Sequence, residues 1–247
     1  MNYQFEWGPV LSQLDRFAEG AGMTLALSFG SIALGTLVGT AGAIVATYGG
    51  QWGRRGVGMY VEAIRNTPFL VQLFIIFFGL PTVGLQIDAV TAAVIAMTIN
   101  LGAYSTEIIR SGLQAIHRTQ IEAAAALAMT RWQMIRHVAL VPAFEKVYPA
   151  LASQFTLMML TSSVVSTISV EELTAVASQI DSQTFRTFES YILVMGIYVL
   201  LALVLRFSFF TLGSFVFKRR RVVARNKRLS SKLARVAAGT RNAGAVK

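Results

Sequence analysis

Long apolar stretches dominate this chain. The chain is 54% hydrophobic and only 14% charged, whereas an ordinary soluble domain carries about 25% charged residues. A helix needs roughly 20 apolar residues to cross about 30 Å of hydrocarbon. The sequence therefore predicts an all-α integral membrane protein with about five transmembrane helices. These are Gly22–Tyr48, Val57–Leu80, Ile87–Ile109, Val147–Ile168 and Ser190–Phe217.

Two of the five stretches are interrupted. The second carries Glu62 and Arg65 in its first half, three residues apart and able to pair on one helical face. Pro68 follows, so the backbone there is expected to be kinked or to begin a new helix. The fourth is rich in hydroxyls, which either bond to their own helix and hold helices together or line a pathway. Interrupted spans at membrane depth mark transport paths, and we favour the pathway.

The basic residues predict the orientation, because Lys and Arg are retained on the cytoplasmic side of a membrane. With the C-terminus inside, all 22 basic residues except Arg16, Arg186 and Arg206 lie in inner segments or in the tail. The arrangement is therefore N-out/C-in. It comprises a periplasmic segment 1–21, a transmembrane domain 22–217 with a cytoplasmic loop 111–146, and a basic tail 218–247.

The basic tail is too poor in apolar residues to fold alone, so we expect it to be disordered. Its cations suit contact with anionic membrane lipid. It lacks the interleaved aromatic residues expected of a nucleic-acid binder. Membrane lipid is therefore predicted as a partner, and nucleic acid is not.

Several enzyme classes find no support in the composition. The chain has no cysteine, which excludes a disulfide scaffold, a thiolate metal site and a cysteine nucleophile. His117 and His137 are its only histidines, and neither has an acid at metal-ligand spacing. No phosphate-cradling G-x-x-x-x-G-K-[ST] motif occurs. We expect neither a catalytic residue nor a metal site.

The loop 111–146 carries its own helical signals. Gln120–Met129 is rich in alanine and should be helical. Thr119 and Glu122 have the spacing of a capping box, and Thr130 can cap a second short helix. Without further information, this loop could simply be an amphipathic helix on the inner membrane face.

Within the loop, the chain reads Glu122-Ala-Ala, then Leu127-Ala-Met and Arg131-Trp-Gln. This pattern resembles the EAA loop of ABC importer permeases. Tyr60–Phe74, Ala103–Gly112 and Ser162–Thr174 are similar to segments of the polar amino-acid permeases within that class. The resemblance covers about residues 24–198.

The resemblance implies the ABC type I importer permease arrangement in a bacterial inner membrane. It also implies a cytoplasmic ATPase dimer, a second permease subunit (the same or a related chain) and a periplasmic or lipid-anchored solute-binding protein. ATP and Mg would bind the ATPase, leaving this chain without a cofactor. The expected ATPase-coupling residues are Glu122, Ala123, Ala124, Leu127, Ala128, Met129, Arg131 and Trp132. Ala128 departs from the family's usual glycine, and Pro142 lies one residue later than the family proline.

The substrate path is expected along the second, third and fourth spans. Glu107 is a carboxylate within the third span, which is usually functional, although Arg110 could simply neutralise it. Leu160 and Thr161 stand where the family often has a lysine and then an acidic or amide residue. The pocket should therefore contact neutral or zwitterionic parts of the solute. The predicted path residues are Thr67, Pro68, Gln72, Asn100, Tyr104, Glu107, Thr161, Ser162 and Ser163.

Two other functions remain open. A self-contained channel or secondary carrier for a small polar solute would normally need more spans or internal repeats, and membrane-depth charges to couple an ion gradient. A membrane anchor for the basic tail is the other alternative. The leading hypothesis is the permease subunit of an ATP-driven importer for polar amino acids or close derivatives.

Overall fold

The computed structural model describes residues 3–216, and every regular element in that part of the chain is helical. By its internal contacts the chain divides into two units, 1–206 and 207–247. The predicted basic tail, 218–247, lies outside the described residues. The elements in chain order are α1 (Gly8–Leu11), α2 (Leu14–Tyr48), α3 (Gln51–Arg65), α4 (Phe69–Thr82), α5 (Ala89–Gln114), α6 (Arg118–Ala126), α7 (Arg131–Gln133), a π-helical segment (Met134–Leu140), α8 (Val141–Thr161), a 3₁₀ segment (Ser162–Ile168), α9 (Leu173–Thr184) and α10 (Thr187–Val216).

Residues 3–216 contain enough apolar helix for five membrane crossings, as predicted. Four stretches are individually long and apolar enough to span a bilayer: 14–48, 89–114, 131–168 and 187–215. Helices α3 and α4 together make a fifth crossing if the bent pair is counted as one span. The all-α prediction with about five spans is therefore confirmed for this part of the chain.

The first helix is longer than its apolar stretch. Helix α2 begins at Leu14, eight residues before the predicted Gly22, so the second half of the segment 1–21 is helical. Hydropathy marks only the part of a helix that lies in hydrocarbon. Here Phe17 and Gly20 are buried, and Gly20 lies against Leu173 and Val176 of α9. This packing extends the helix through residues that are too polar for the membrane interior.

The second and fourth spans also differ from their predicted bounds. The second is two helices, α3 and α4, bent by 106° at residues 66–68. The fourth begins at Arg131 instead of Val147, because α7, the π segment, α8 and the 3₁₀ segment follow one another without a break. Much of the predicted loop 111–146 is consequently helical.

Helices α2 and α5 form the centre of the bundle because glycines on α2 let the two backbones approach. A Cβ added at Gly39 would lie 2.4 Å from Ser105 Cβ, and one at Gly35 would lie 2.9 Å from Leu101 Cβ. Lipid is as apolar as leucine, so membrane helices associate through such close packing. Thr106 also donates its hydroxyl to the Gly102 carbonyl of its own helix at 2.7 Å.

We predict that Gly39→Ala weakens the α2–α5 contact, since the new methyl would overlap Ser105. Overpacking of this kind costs about 1–3 kcal/mol. The matched control is Gly30→Ala on the same helix, where an added Cβ meets nothing within 4 Å. In detergent, the midpoint of thermal unfolding should fall for Gly39→Ala and not for Gly30→Ala. Equal midpoints would contradict this packing.

Candidate functional site

The second span is broken at residues 66–68. Pro68 has no N–H and disfavours a helical conformation for the residue before it, so α3 ends at Arg65 and α4 begins at Phe69. Thr67 and Pro68 are both exposed in the break. A broken helix at membrane depth leaves carbonyl groups without their helical donors, and each needs another partner.

Gln72 supplies that partner. Its side-chain amide donates to the Ile64 carbonyl at 2.7 Å, to the Thr67 carbonyl at 3.1 Å and to the Thr67 hydroxyl at 2.9 Å. Its Oε1 accepts a hydrogen bond from Asn100 Nδ2 of α5 at 2.9 Å. Gln72 and Asn100 are each only 7% exposed. The structure thus brings together three predicted path residues, Thr67, Gln72 and Asn100, around the break.

Helix α3 is attached to α5 on the other side of the break. The Tyr60 hydroxyl donates to the Ile99 carbonyl at 2.6 Å, and Gly102 leaves room for it, because a Cβ there would lie 2.8 Å from the Tyr60 oxygen. The sequence analysis missed Tyr60 as a positioning residue. The signal that could have identified it is its place as a polar-tipped aromatic on the inward face of an amphipathic helix.

A second polar group of side chains follows on the same face of α5. Arg110 binds Glu107 through two contacts, Nε to Oε2 at 3.0 Å and an Nη to Oε1 at 2.5 Å. Arg65 does not form the predicted pair with Glu62. Its guanidinium carbon lies 5.4 Å from the centre of the Tyr104 ring, because α3 turns this side chain towards α5. The ion pair between Arg110 and Glu107, which could neutralise Glu107, is therefore present. Tyr104 lies one turn before Glu107 on the same helix.

The hydroxyls of the fourth span bond within their own helix. Thr161, Ser162 and Ser163 donate to the carbonyls of residues 157, 159 and 160 at 2.6–2.9 Å. Ser162 is fully buried, whereas Thr161 and Ser163 are partly exposed. Back-bonding uses each proton but leaves oxygen lone pairs free. Their role in a path stays a prediction, and Ser162 faces the protein interior in this conformation.

We predict that Gln72→Leu destabilises the broken span, since it removes the donor to the Ile64 and Thr67 carbonyls. A buried carbonyl left unpaired costs about 1–3 kcal/mol. The thermal midpoint in detergent should fall. Gln51→Leu, at an exposed position at the start of α3, serves as the control and should not change it. A Gln72→Leu protein with wild-type stability would show that the break is held in another way.

The predicted loop 111–146 contains two short helices, α6 and α7, joined by a hydrogen-bonded turn. Helix α6 ends in a Schellman motif, in which Met129 N–H donates to the Ala124 carbonyl at 3.2 Å and Ala128 N–H to the Ala125 carbonyl at 2.9 Å. Ala128 has φ 55°, the left-handed conformation that glycine adopts without penalty. Alanine at position 128, where the family usually has glycine, therefore still forms the turn, but the backbone at this residue is strained.

Of the two helix caps predicted in this loop, one is wrong and the other is confirmed. The capping box at Thr119 and Glu122 is wrong: α6 begins at Arg118, and its cap is His117. Glu122 accepts a hydrogen bond from Arg118 Nε at 2.9 Å instead, since the residues are one turn apart. The cap at Thr130 is confirmed and forms a full capping box with Gln133.

Most of the predicted coupling residues are exposed. Leu127 is 78% exposed and Trp132 is 59% exposed, so two large apolar side chains stand on the surface of the loop. Glu122, Ala123, Ala128 and Arg131 are also exposed, Met129 is half-buried and Ala124 is buried. The loop thus presents apolar and charged side chains together on a short, well-capped helical support.

We predict that Ala128→Gly strengthens the turn, because it relieves a left-handed conformation that costs an L-residue about 1–2 kcal/mol. Ala128→Val should do the opposite, since a β-branched side chain tolerates positive φ poorly. Hydrogen exchange at the amides of Ala128 and Met129 measures the turn directly. Slower exchange in the valine variant than in the glycine variant would contradict this geometry.

Residues 3–216 combine apolar helices sufficient for up to five membrane crossings with a broken span and an exposed helical loop, and interrupted spans are typical of membrane transport proteins. The family model for the binding-protein-dependent transport system inner membrane component matches residues 35–221. The chain belongs to this family. It is therefore the permease subunit of an ABC importer in the inner membrane, and ATP hydrolysis belongs to a separate partner chain.

Individual relatives are also named as permease proteins of transport systems. The chain is 36% identical over 206 residues to the glutamine transport system permease protein GlnP of Escherichia coli K12, covering 83% of this chain and 94% of that one. It is 33% identical over 191 residues to the octopine transport system permease protein OccM of Rhizobium radiobacter, covering 74% and 78%.

Solved structures show the same arrangement. A chain of the crystal structure of an amino acid ABC transporter with histidines matches with a TM-score of 0.76 and 37% identity, over 88% of this chain and all of that one. The MetNI methionine ABC transporter, in its inward-facing conformation, matches with a TM-score of 0.71 at 21% identity, over 83% and 98%. The second likeness shows the fold alone.

Proposed function

We propose that the solute is a polar amino acid or a close derivative of one. Relatives are named for the transport of glutamine, octopine and arginine. These solutes differ in their side chains and share an α-amino acid group. The predicted path of this chain offers hydroxyls, amides and Glu107, whose charge Arg110 balances, and Leu160 and Thr161 are uncharged, which suits the neutral and zwitterionic parts of such a solute. Charge recognition then falls to another subunit.

We further propose the composition of the complex. Two permease subunits, copies of this chain or this chain and a related one, enclose the path between them, since five spans alone surround no two-sided channel. A dimeric ATPase binds on the cytoplasmic side, and a periplasmic or lipid-anchored solute-binding protein delivers solute from outside. ATP and Mg bind the ATPase, and this chain carries no cofactor.

We propose that the exposed loop couples the ATPase to the membrane-spanning helices. A short rigid helix with apolar anchors is suited to a groove on another protein. Leu127 and Trp132 provide the apolar anchors, and Glu122 provides a polar contact on the exposed side of α6. Because α7 runs on through the π segment into α8, a displacement of the loop reaches a membrane-spanning helix without a flexible linker.

We predict that Glu122→Lys abolishes transport-coupled ATP hydrolysis while membrane insertion stays normal. The substitution reverses the charge at the proposed contact and places a cation beside Arg118. Gln120→Lys, on the same helix and also exposed, is the control and should retain most activity. The measurement is ATP hydrolysis and uptake of radiolabelled glutamine and arginine in proteoliposomes that contain the complete complex.

Two outcomes would contradict this function. Full transport by Glu122→Lys would reject the loop as the coupling element. Uptake by liposomes that contain only this chain, without ATP or a companion protein, would favour the self-contained channel or carrier instead.

A further inference from the structure

A fully buried carboxylate lies at the outer end of the fourth span. Glu172 is 0% exposed and caps α9: its Oε1 accepts hydrogen bonds from the backbone N–H of Thr174 at 2.8 Å and of Ala175 at 3.0 Å. Burial raises the pKa of this carboxyl group above its ordinary value, and hydrogen bonds from Tyr198, Thr174 and Ala175 oppose that rise. A buried acid normally requires such partners.

The second oxygen of Glu172 reaches two other helices. Oε2 accepts the Tyr198 hydroxyl of α10 at 2.6 Å and the Thr24 hydroxyl of α2 at 3.4 Å. Thr24 Oγ1 in turn accepts the Leu173 N–H at 3.2 Å, and the Thr174 hydroxyl lies 3.0 Å from the Tyr198 oxygen. One carboxylate therefore closes a ring of hydrogen bonds that joins α2, α9 and α10.

Packing supports the same connection. A Cβ added at Gly20 would lie 2.9 Å from Val176 Cγ2 and 3.0 Å from Leu173 Cα, so α2 and α9 touch through their backbones. Arg16 of α2 donates to Gln179 Oε1 of α9 at 2.5 Å. The buried Phe17 belongs to the same apolar cluster as residues of α9 and α10. A movement of α9 relative to α2 would break all of these contacts.

The chain just before Glu172 departs from regular α-helix. Residues 162–168 form a 3₁₀ segment, whose hydrogen-bond geometry is poorer than that of an α-helix and which often marks a hinge. Ser169 then adopts a left-handed conformation with φ 66°. Helix α9 is thus joined to α8 through a 3₁₀ segment and a left-handed residue.

We propose that Glu172 is a positioning residue for transport, which locks α9 to the outer parts of α2 and α10 as one rigid body. In this arrangement the outer end of the path opens by bending at residues 162–169, and α9 does not move against α2. The proposal rests on the proposed transport function. Glu172 does not contact the solute and acts through the helices that it joins.

The first test measures coupling. Glu172→Ala removes both carboxylate oxygens, which accept four hydrogen bonds of the ring, so the outer end loses its rigid support, and the ATP hydrolysed per solute imported should rise several-fold. Glu172→Gln keeps a carbonyl for the two α9 amides and should restore most of the wild-type ratio. Glu171→Ala, at the exposed neighbouring position, is the control. A merely structural role would lower the amount of complex and leave this ratio unchanged, which would overturn the proposal.

The second test remains decisive if Glu172→Ala fails to fold. The chain contains no cysteine, so a disulfide between Gly20→Cys and Val176→Cys would be its only one. A Cβ at Gly20 would lie 2.9 Å from Val176 Cγ2, so the two side-chain positions are adjacent, as a disulfide requires. The oxidised double variant should import solute at close to the rate of its reduced form. Import that stops on oxidation and returns on reduction would overturn the proposal.

The failure of this proposal can be distinguished from that of the transport function. If the wild-type complex shows no ATP-driven uptake of amino acids, the proposed function itself is wrong. If the wild-type complex is active and the oxidised double variant is not, the single variants Gly20→Cys and Val176→Cys identify the cause. Active single variants assign the loss to the crosslink and reject the rigid body.

Discussion

The requirement that every backbone polar group finds a partner in hydrocarbon decides how the second span can break. Pro68 makes the break, and the amide of Gln72 makes it tolerable by binding the carbonyls that the break sets free. Asn100 of α5 then holds Gln72 in place. The 106° bend between α3 and α4 is therefore a defined geometry. At the end of α3, beside this bend, Arg65 lies over the Tyr104 ring.

Helix α2 makes close contacts with three other helices, whereas both ends of α8 continue into irregular helix. Close backbone packing joins α2 to α5 through Gly35 and Gly39, and a buried ring of hydrogen bonds joins α2 to α9 and α10 through Glu172. Helix α8 differs, because its two ends continue into irregular helix: the π segment on the inner side and the 3₁₀ segment on the outer side. The fixed frame and the adaptable helix are thus separate parts of one chain.

The sequence predicted those features that depend only on residues close together along the chain. The number of spans, the interruption at Pro68 and the cap at Thr130 follow from hydropathy, proline chemistry and cap spacing. It did not predict the bond from Gln72 to Asn100 or the place of Arg65 over Tyr104, because these contacts depend on how separate helices meet. The roles of the loop and of the path residues stay predictions, since they depend on partner chains and a solute.

A coupling loop is effective only if its displacement is neither absorbed nor spread through the whole bundle. The capped helices α6 and α7 limit absorption, since the Schellman motif at Ala128 and the capping box at Thr130 fix the turn between them. The strain at Ala128 is compatible with that role, because a strained turn persists only when the surrounding hydrogen bonds hold it. The proposed bending at residues 162–169 then lies at the far end of α8, beyond the continuous helix that begins with α7. We therefore expect the predicted inner loop and the outer end of the proposed path to respond to each other while α2 and α5 keep their packing.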